Sequence, residues 1–507
     1  MKKALSRFLG LFLILGLAMG LSGCSGTSKT PAQKTTLYWW RSREDANEDV
    51  LQEVIKNYEK QVGTVKIELV LKDPRTYEQE LTEALAAHQT VKNAPDIISI
   101  KGEDLPKFVP LLAQAPDNLF DVKQTTKSKK TGETTTQYVQ NLFEDVVAKS
   151  VIFNSDGKQL VYGLPMGIDN LAVYKNKKLF AKAAERVETT NKVEKNLSTA
   201  QVKEIKATLE GDIDTWQKLV AVIPYLRVAD GANISQAAIA LGTSLNVERS
   251  YDILQTIMMQ NGTVMTSDGL DEATFNLSQT GTVAKRTPGE EALKFYLRFS
   301  DPNDPQTYTW NDKMPNSVDA FMQGQTAMMI HYASAYRYII NEAPTIKSSL
   351  DVIPMFQLVD PKVPTSQDKL KTYGRMWVEA VPSAKGDQKL QNAAWSFVYY
   401  ITSKSGSKPY LQAMKIPSAL RDVTSSAKFD VFDEQKKFSD TWYKGHRALE
   451  IDKLFIGMID EVYTARRSLK DALDAAAAQT TAVLQASRSK WATAAPSPDE
   501  EETESGS

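Results

Sequence analysis

Near the start of the chain, the run Tyr38-Trp39-Trp40-Arg41-Ser42-Arg43-Glu44-Asp45 sets two indoles beside two guanidiniums. That combination suits a ring with apolar faces and a rim of hydroxyls, because flat aromatics pack on the faces while planar charged groups meet the rim. Neighbouring side chains on a strand point to opposite faces, so core packing accounts for one indole and not for both. Trp40, nearer the strand end, is the expected contact and Trp39 the expected packing residue; Arg41 and Arg43 supply the rim groups. The same residue types recur later: Lys101, Glu103 and Asp104 after an apolar strand; Asp169 after Tyr162-Gly163-Leu164-Pro165; Trp310 with Asn311; Tyr332 and Tyr336; and Trp377. A carboxylate such as Asp169 accepts two hydroxyl hydrogen bonds at once, with a turn cap as its alternative role. Loop-type residues precede Trp310 and Trp377, which points both toward a cleft, core or rim packing being the alternative. Trp216 and Trp395 sit inside amphipathic helical patterns and are expected in the core. The segment Gly242-Thr243-Ser244-Leu245-Asn246 offers further hydroxyl and amide groups in a loop, and Asn261-Gly262 reads as a turn.

Support for catalysis is thin. His88, His331 and His446 fall in different elements, and no metal-spaced cluster, nucleophile elbow or phosphate-cradling glycine loop is present. No metal or cofactor is expected. A pair of carboxylates for glycoside hydrolysis is a spatial arrangement that sequence does not reveal, so a glycan-acting enzyme stays open as an alternative.

The first residues carry Lys2, Lys3 and Arg7, then an apolar run from Phe8 to about Leu21, then small residues before Cys24, the layout of an export signal. Cys24 is the only cysteine, so neither a disulfide nor a cysteine-based metal site can form. The stretch after it, Ser25 to Lys34, reads as a flexible tether. Without Lys2, Lys3 and Arg7 the 61 basic residues fall to 58 against 62 acidic ones, a balance that argues against a nucleic-acid partner. With 42% apolar residues, the chain has material for two lobes with separate cores. No stretch after the leader approaches the roughly 20 apolar residues of a membrane span.

Positioning these groups requires an α/β scaffold. The order strand (Thr35 to Trp40), helix (Val50, Leu51, Val54, Ile55 and Tyr58 at helical spacing), strand (Val65 to Leu71), helix (Tyr77 to Ala87), strand (Ala94 to Ile100) predicts a parallel sheet. In such sheets ligands bind beyond the carboxyl ends of strands, so the first and third strands open on the same edge. Ser42 and Asp45 predict a capping box for the first helix, Thr215 caps a helix at Trp216, and Thr287-Pro288 with Glu290 starts another. The charged run from Ala183 to Asp212 reads as a surface helical insertion, Asn392 to Thr402 as a buried helix, Lys453 to Leu484 as closing helices, and the acidic end as disordered.

Leu21-Ser22-Gly23-Cys24 resembles the lipobox of bacterial lipoproteins, which implies acylation of Cys24 and a lipid anchor facing the extracytoplasmic side of the cell membrane. The segments WWRSRED, APDIISI, YGLPMGIDNLAVYKNKKLF, DTWQKL, AFMQGQTAMMIHY and AAWSFVYYITS, in this order, resemble the solute-binding proteins of ABC importers, in particular the sugar-binding, maltose-binding-protein-like group. The resemblance implies a two-lobed periplasmic-binding-protein type II fold with discontinuous lobes joined by a hinge. It puts the signal at 1–23, the tether at 24–34, the first lobe at 35–164 and 379–428, the second at 165–378 and 429–491, and a tail at 492–507. Asp169 aligns with a ligand-binding glutamate of that group, and Ile100 stands where the group carries a stacking tryptophan. The implied function is capture of a sugar or related polar solute between the lobes by a monomer, with delivery to ABC permease subunits. A lipoprotein that keeps the fold without a ligand is a further alternative.

Overall fold

A computed structural model describes residues 34–44, 46–87, 91–117, 133–155, 157–194, 197–211, 213–280, 285–383, 387–424 and 430–492. The export signal, Cys24, the tether up to residue 33, the tail beyond residue 492, Asp45 and His88 lie outside the described residues.

The first sheet is built from β1 (Thr35–Ser42), β2 (Val65–Lys72), β3 (Ile97–Lys101), β4 (Leu164–Pro165) and β9 (Trp377–Ala380) in the order β2-β1-β3-β9-β4. β1 runs parallel to β2 and β3, whereas β9 returns antiparallel against β3 and β4. The second sheet contains β5 (Asp169–Asn176), β6 (Met328–Tyr332), β7 (Leu350–Ile353), β8 (Thr372–Arg375) and β10 (Ser439–Asp440). There β5 is central, antiparallel to β6, β7 and β8, and β10 joins β8 in parallel. All eight residues of β5 are buried, as a strand covered on both faces requires.

The helix Glu48–Val62 buries Leu51, Val54, Ile55 and Tyr58, the positions its spacing predicts. Its cap is Asn47, whose side chain accepts from the Val50 N–H, and it ends at Gly63 with φ 71°. The predicted Ser42 capping box does not form. Ser42 stays paired with Lys72 as the last residue of β1, and its hydroxyl accepts from the Glu44 N–H instead. Thr215 does cap its helix, accepting from the Lys218 N–H, while Thr287 turns its hydroxyl to Ser278 rather than to the helix that Pro288 begins. The charged run forms two packed helices, Lys177–Glu194 and Thr199–Glu210. The chain closes with Ala448–Tyr463 and Leu469–Ala492.

Each sheet has its own core. One cluster of buried apolar residues spans Leu37 to Ile168 and Met376 to Ala419; the others draw on Leu171 to Tyr373 and Phe432 to Leu484. Pro165 and Val378 both pair within the first sheet, because β4 and β9 hydrogen-bond each other there. The second lobe therefore begins at Asp169 and hands back after Arg375, not at 165 and 378. Two glycines allow these crossings: a Cβ on Gly167 would lie 2.6 Å from Leu411 and the Pro417 carbonyl, and one on Gly374 would lie 2.8 Å from Ser439. Among the described residues no helix is long and apolar enough to cross a membrane.

Candidate functional site

Between the lobes lies a cleft of about 830 Å³, with a second space of about 390 Å³ adjoining it. Both are within the usual size of small-molecule sites, roughly 300–1,000 Å³. Lys101, Glu103, Arg375 and Trp377 line both spaces. The first two follow from the carboxyl end of β3; the other two flank Met376 at the crossing between sheets.

Arg41 reaches the larger space but is committed elsewhere. Its Nη1 lies 2.6 Å from Glu379 Oε1 and donates to the Ser99 hydroxyl, Nη2 donates to Tyr410 OH at 2.7 Å, and the guanidinium stacks on Trp377 and Tyr410. Glu379 also receives the Trp39 indole N–H at 2.9 Å and the Ser99 hydroxyl. With 1% and 0% of their side chains exposed, Arg41 and Glu379 form a structural knot beneath the cleft. Burial pushes the Glu379 carboxyl up, against the pull of Arg41.

Trp39 packs as expected, edge-on to Phe397. Trp40 does not face the cleft. It is buried on the other side of the first sheet, where its indole N–H donates to the Asn93 carbonyl and the Lys72 ammonium lies 3.7 Å from its ring centre. The alternation argument holds, but this central strand is covered on both faces, so both indoles become core. Arg43, 60% exposed, faces Glu48 in solvent. Trp310 is fully buried in the second lobe, where Asn246 accepts its N–H and also ties down the Asn311 and Met314 carbonyls. The Thr243 hydroxyl also donates to Asn246, and none of Thr243, Ser244 and Asn246 lines either space.

Asp169, the first residue of β5, is directly opposite Arg375 in the β5–β8 register. Its Oδ2 accepts from Arg375 Nη2 at 3.1 Å and its Oδ1 from the Ser334 N–H at 3.1 Å. The Arg375 guanidinium lies 4.1 Å above the Tyr332 ring, and Tyr332 OH donates to Asp252 Oδ2 at 2.8 Å. Arg249 sits 5.5 Å from the same ring, held there by a backbone at φ 62°, a conformation that a non-glycine residue adopts at a cost and that recurs at functional sites. Trp377 stands half-buried with Lys101 at 5.7 Å.

Lys444 lies 2.5 Å from Asp452 and 3.5 Å from Glu103. Burial disfavours its charge, but Asp452, Tyr373 and Glu103 outweigh that and raise its pKa well above the usual lysine range. Glu103 is held below the usual carboxylate range: burial opposes its charge, and Lys444, Lys101 and Arg375 prevail. Asp452 is pushed up to about 7 by burial, partly offset by Lys444. Asp252 is raised by burial. His331, buried against Glu248, is lowered by burial.

Of the residues singled out from sequence, the structure brings Arg41, Lys101, Glu103, Asp169 and Trp377 to the larger space and Asp104 and Tyr332 to the smaller. Trp40, Arg43 and Trp310 line neither. Sequence reasoning missed Arg249, Asp252, Arg375, Lys444 and Asp452. Arg375 was visible only as a loop-type residue before Trp377, and nothing local marks the others. Among the described residues no group of His, Cys, Asp and Glu could hold a metal ion.

Residues 53–436 match the family model described as bacterial extracellular solute-binding protein. A search of curated proteins finds no match. Similar solved structures include the sugar-binding protein MalE from Xanthomonas citri, with TM-score 0.66, 15% identity, and 91% of this chain and 100% of that chain covered. A Thermotoga lettingae ABC transporter solute-binding protein bound with α-D-tagatose gives 0.61 at 18%, covering 89% and 100%. UgpB from Mycobacterium tuberculosis, in complex with glycerophosphocholine, gives 0.61 at 14%, covering 89% and 99%. These likenesses extend across both lobes and establish the shared fold. The chain belongs to the bacterial extracellular solute-binding protein family and has the two-lobed α/β fold of periplasmic solute-binding proteins.

Proposed function

We propose that the protein is a lipid-anchored receptor of an ABC importer that captures a sugar or related polar solute between its lobes and presents it to the permease. The observation that carries this reading is the convergence of both lobes on one cleft: Lys101, Glu103 and Trp377 approach from the first, Asp169, Arg375 and Tyr332 from the second. Interleaved acids and bases beside an aromatic face suit hydroxyl groups, which both donate and accept. A solute touching both lobes favours the closed form by its differential affinity for that form, and this drives hinge closure. The similar structures named with sugars support the substrate class, and the lipobox-like run before Cys24 supports the anchor. No chemical step is assigned to the site; the protein acts as a monomer that binds and hands over.

The test is a thermal-shift screen of the chain beginning at Ser25 against monosaccharides, oligosaccharides, glycerophosphodiesters and amino acids. A solute at 100 times its dissociation constant stabilises by about 2.7 kcal/mol. A shift with a sugar supports the reading; a shift only with another class moves the substrate; no shift with any solute overturns the receptor. Intact mass of membrane-extracted protein, expected to carry acyl chains on Cys24, tests the anchor.

A further inference from the structure

Of the bases that line the two spaces of the cleft, Arg41, Arg75, Lys101, Lys149, Arg375 and Lys444 each lie 2.5–3.3 Å from a carboxylate oxygen. Arg249 differs. Among the described residues no carboxylate stands at ion-pair distance from it, and its Nη1 donates to Tyr251 OH at 3.1 Å. The acids near it in sequence have other partners: Glu248 lies 3.1 Å from His331, and Asp252 Oδ2 accepts from Tyr332 OH at 2.8 Å. Burial and then Arg375 oppose the charge of Arg249, and Tyr251, Asp252 and Tyr332 outweigh them, so the guanidinium stays ionised. Its backbone, at φ 62°, is one that glycine adopts freely and arginine does not, so the side chain is kept there against a local penalty.

The guanidiniums of Arg249 and Arg375 lie 5.5 and 4.1 Å from the centre of one ring, that of Tyr332. Two like charges gathered on one ring repel, and an anion beside both relieves that repulsion. The acids of the smaller space that have no base at ion-pair distance are Asp104 and Asp252. Burial raises both, Asp104 to about 7 with Glu103 adding to it, so they hold their charge less readily than the arginines. Arg375 and Trp377 line both spaces, so a solute lying against them in the larger one can extend a substituent toward Arg249 in the smaller.

We propose that Arg249, with Arg375 beside it, receives an anionic group of the solute, a carboxylate or a phosphate, in the smaller space while the rest of the solute occupies the larger. The inference rests on the reading of the protein as a sugar receptor and narrows its substrate class to acidic sugars and sugar phosphates. A guanidinium meets carboxylate and phosphate oxygens through parallel N–H donors, a charge-assisted contact that a neutral hydroxyl does not match.

The experiment is isothermal titration of the chain beginning at Ser25, unaltered and as Arg249→Gln and Arg249→Lys, with glucose, galactose, glucuronate, galacturonate and glucose 6-phosphate. Arg249 is half-buried, and unchanged far-ultraviolet circular dichroism verifies that both variants keep the fold. At least one anionic probe should bind the unaltered protein about tenfold or more tighter than its neutral counterpart, and more weakly as salt rises. Arg249→Gln should remove roughly tenfold to a hundredfold of that affinity and leave a neutral probe's affinity unchanged; Arg249→Lys, which keeps the charge without the fork, should lose less. The uronates and the phosphate separate the two sources of the anion. The inference is overturned if the neutral sugars bind as tightly as the anionic ones, or if Arg249→Gln keeps the preference; the receptor then stands without it. Binding by none of these probes also overturns the inference, whereas the receptor falls only if the wider thermal-shift screen is silent too.

Discussion

Two arginine–carboxylate pairs, Arg41–Glu379 and Arg375–Asp169, lie within one cleft system and serve opposite ends. The first is 1% and 0% exposed, at 2.6 Å, with Ser99, Trp39 and Tyr410 taking up further hydrogen-bonding capacity. The second is 22% and 9% exposed at 3.1 Å, with one face of the guanidinium on Tyr332, and Arg375 lines both spaces of the cleft. Residue type does not separate them; solvent access and the number of surrounding partners do. A pair sealed from water is costly to break and offers little to a ligand, whereas a pair at a wall can exchange partners.

The contrast is broken most directly at the sealed pair. Arg41→Ala leaves Glu379 buried without its counter-charge and should cost about 3–5 kcal/mol in urea unfolding at neutral pH. A loss below about 1 kcal/mol would show that the knot is not structural. Trp40→Ala, which empties a packed site, should cost a similar 3–5 kcal/mol while leaving the affinity of the folded fraction unchanged. Asp169→Asn removes charge-assisted hydrogen bonds at the wall. It should weaken solute binding by roughly tenfold to a hundredfold, as about 1.5–3 kcal/mol implies, with a smaller change in unfolding midpoint.

A fourth expectation concerns pH. Asp452 is pushed up to about 7 in the folded protein, against about 3.9 unfolded, so the native state holds its proton more tightly. Its contribution is fully present below pH 4 and is lost as pH rises through 7. Asp452→Asn should therefore flatten the decline in stability across that window, measured by denaturant titration at stepped pH. An unchanged slope would mean that this carboxyl does not carry it. Smallest of all, Arg43→Ala should alter stability by no more than about 0.5 kcal/mol, its pair with Glu48 being in solvent.

The α/β order of the first lobe was legible because apolar spacing there is set by local periodicity: Leu51, Val54, Ile55 and Tyr58 can bury together only on a helix. The helix cap was misread by five residues because Ser42 has a strand partner, Lys72, that lies thirty residues away. In the site, Asp169 and Trp377 stood at crossings between sheets, and crossings leave a sequence signature in glycine and proline. Lys444 meets Glu103, 341 residues earlier in the chain and on the other lobe, and Asp252 meets Tyr332, 80 residues later, so no short window of sequence contains both members of these contacts. Trp40 and Trp310 show the reverse error: their types suit a ligand, and burial assigns them to the core.

The claim that walls from both lobes hold the solute is tested most directly by isothermal titration of the sugar giving the largest thermal shift into four proteins: unaltered, Asp169→Asn, Trp377→Ala and Trp40→Ala. Asp169→Asn and Trp377→Ala should each weaken binding about tenfold or more, while Trp40→Ala binds normally per folded molecule. Normal binding by both wall variants, or loss confined to Trp40→Ala, would contradict the account.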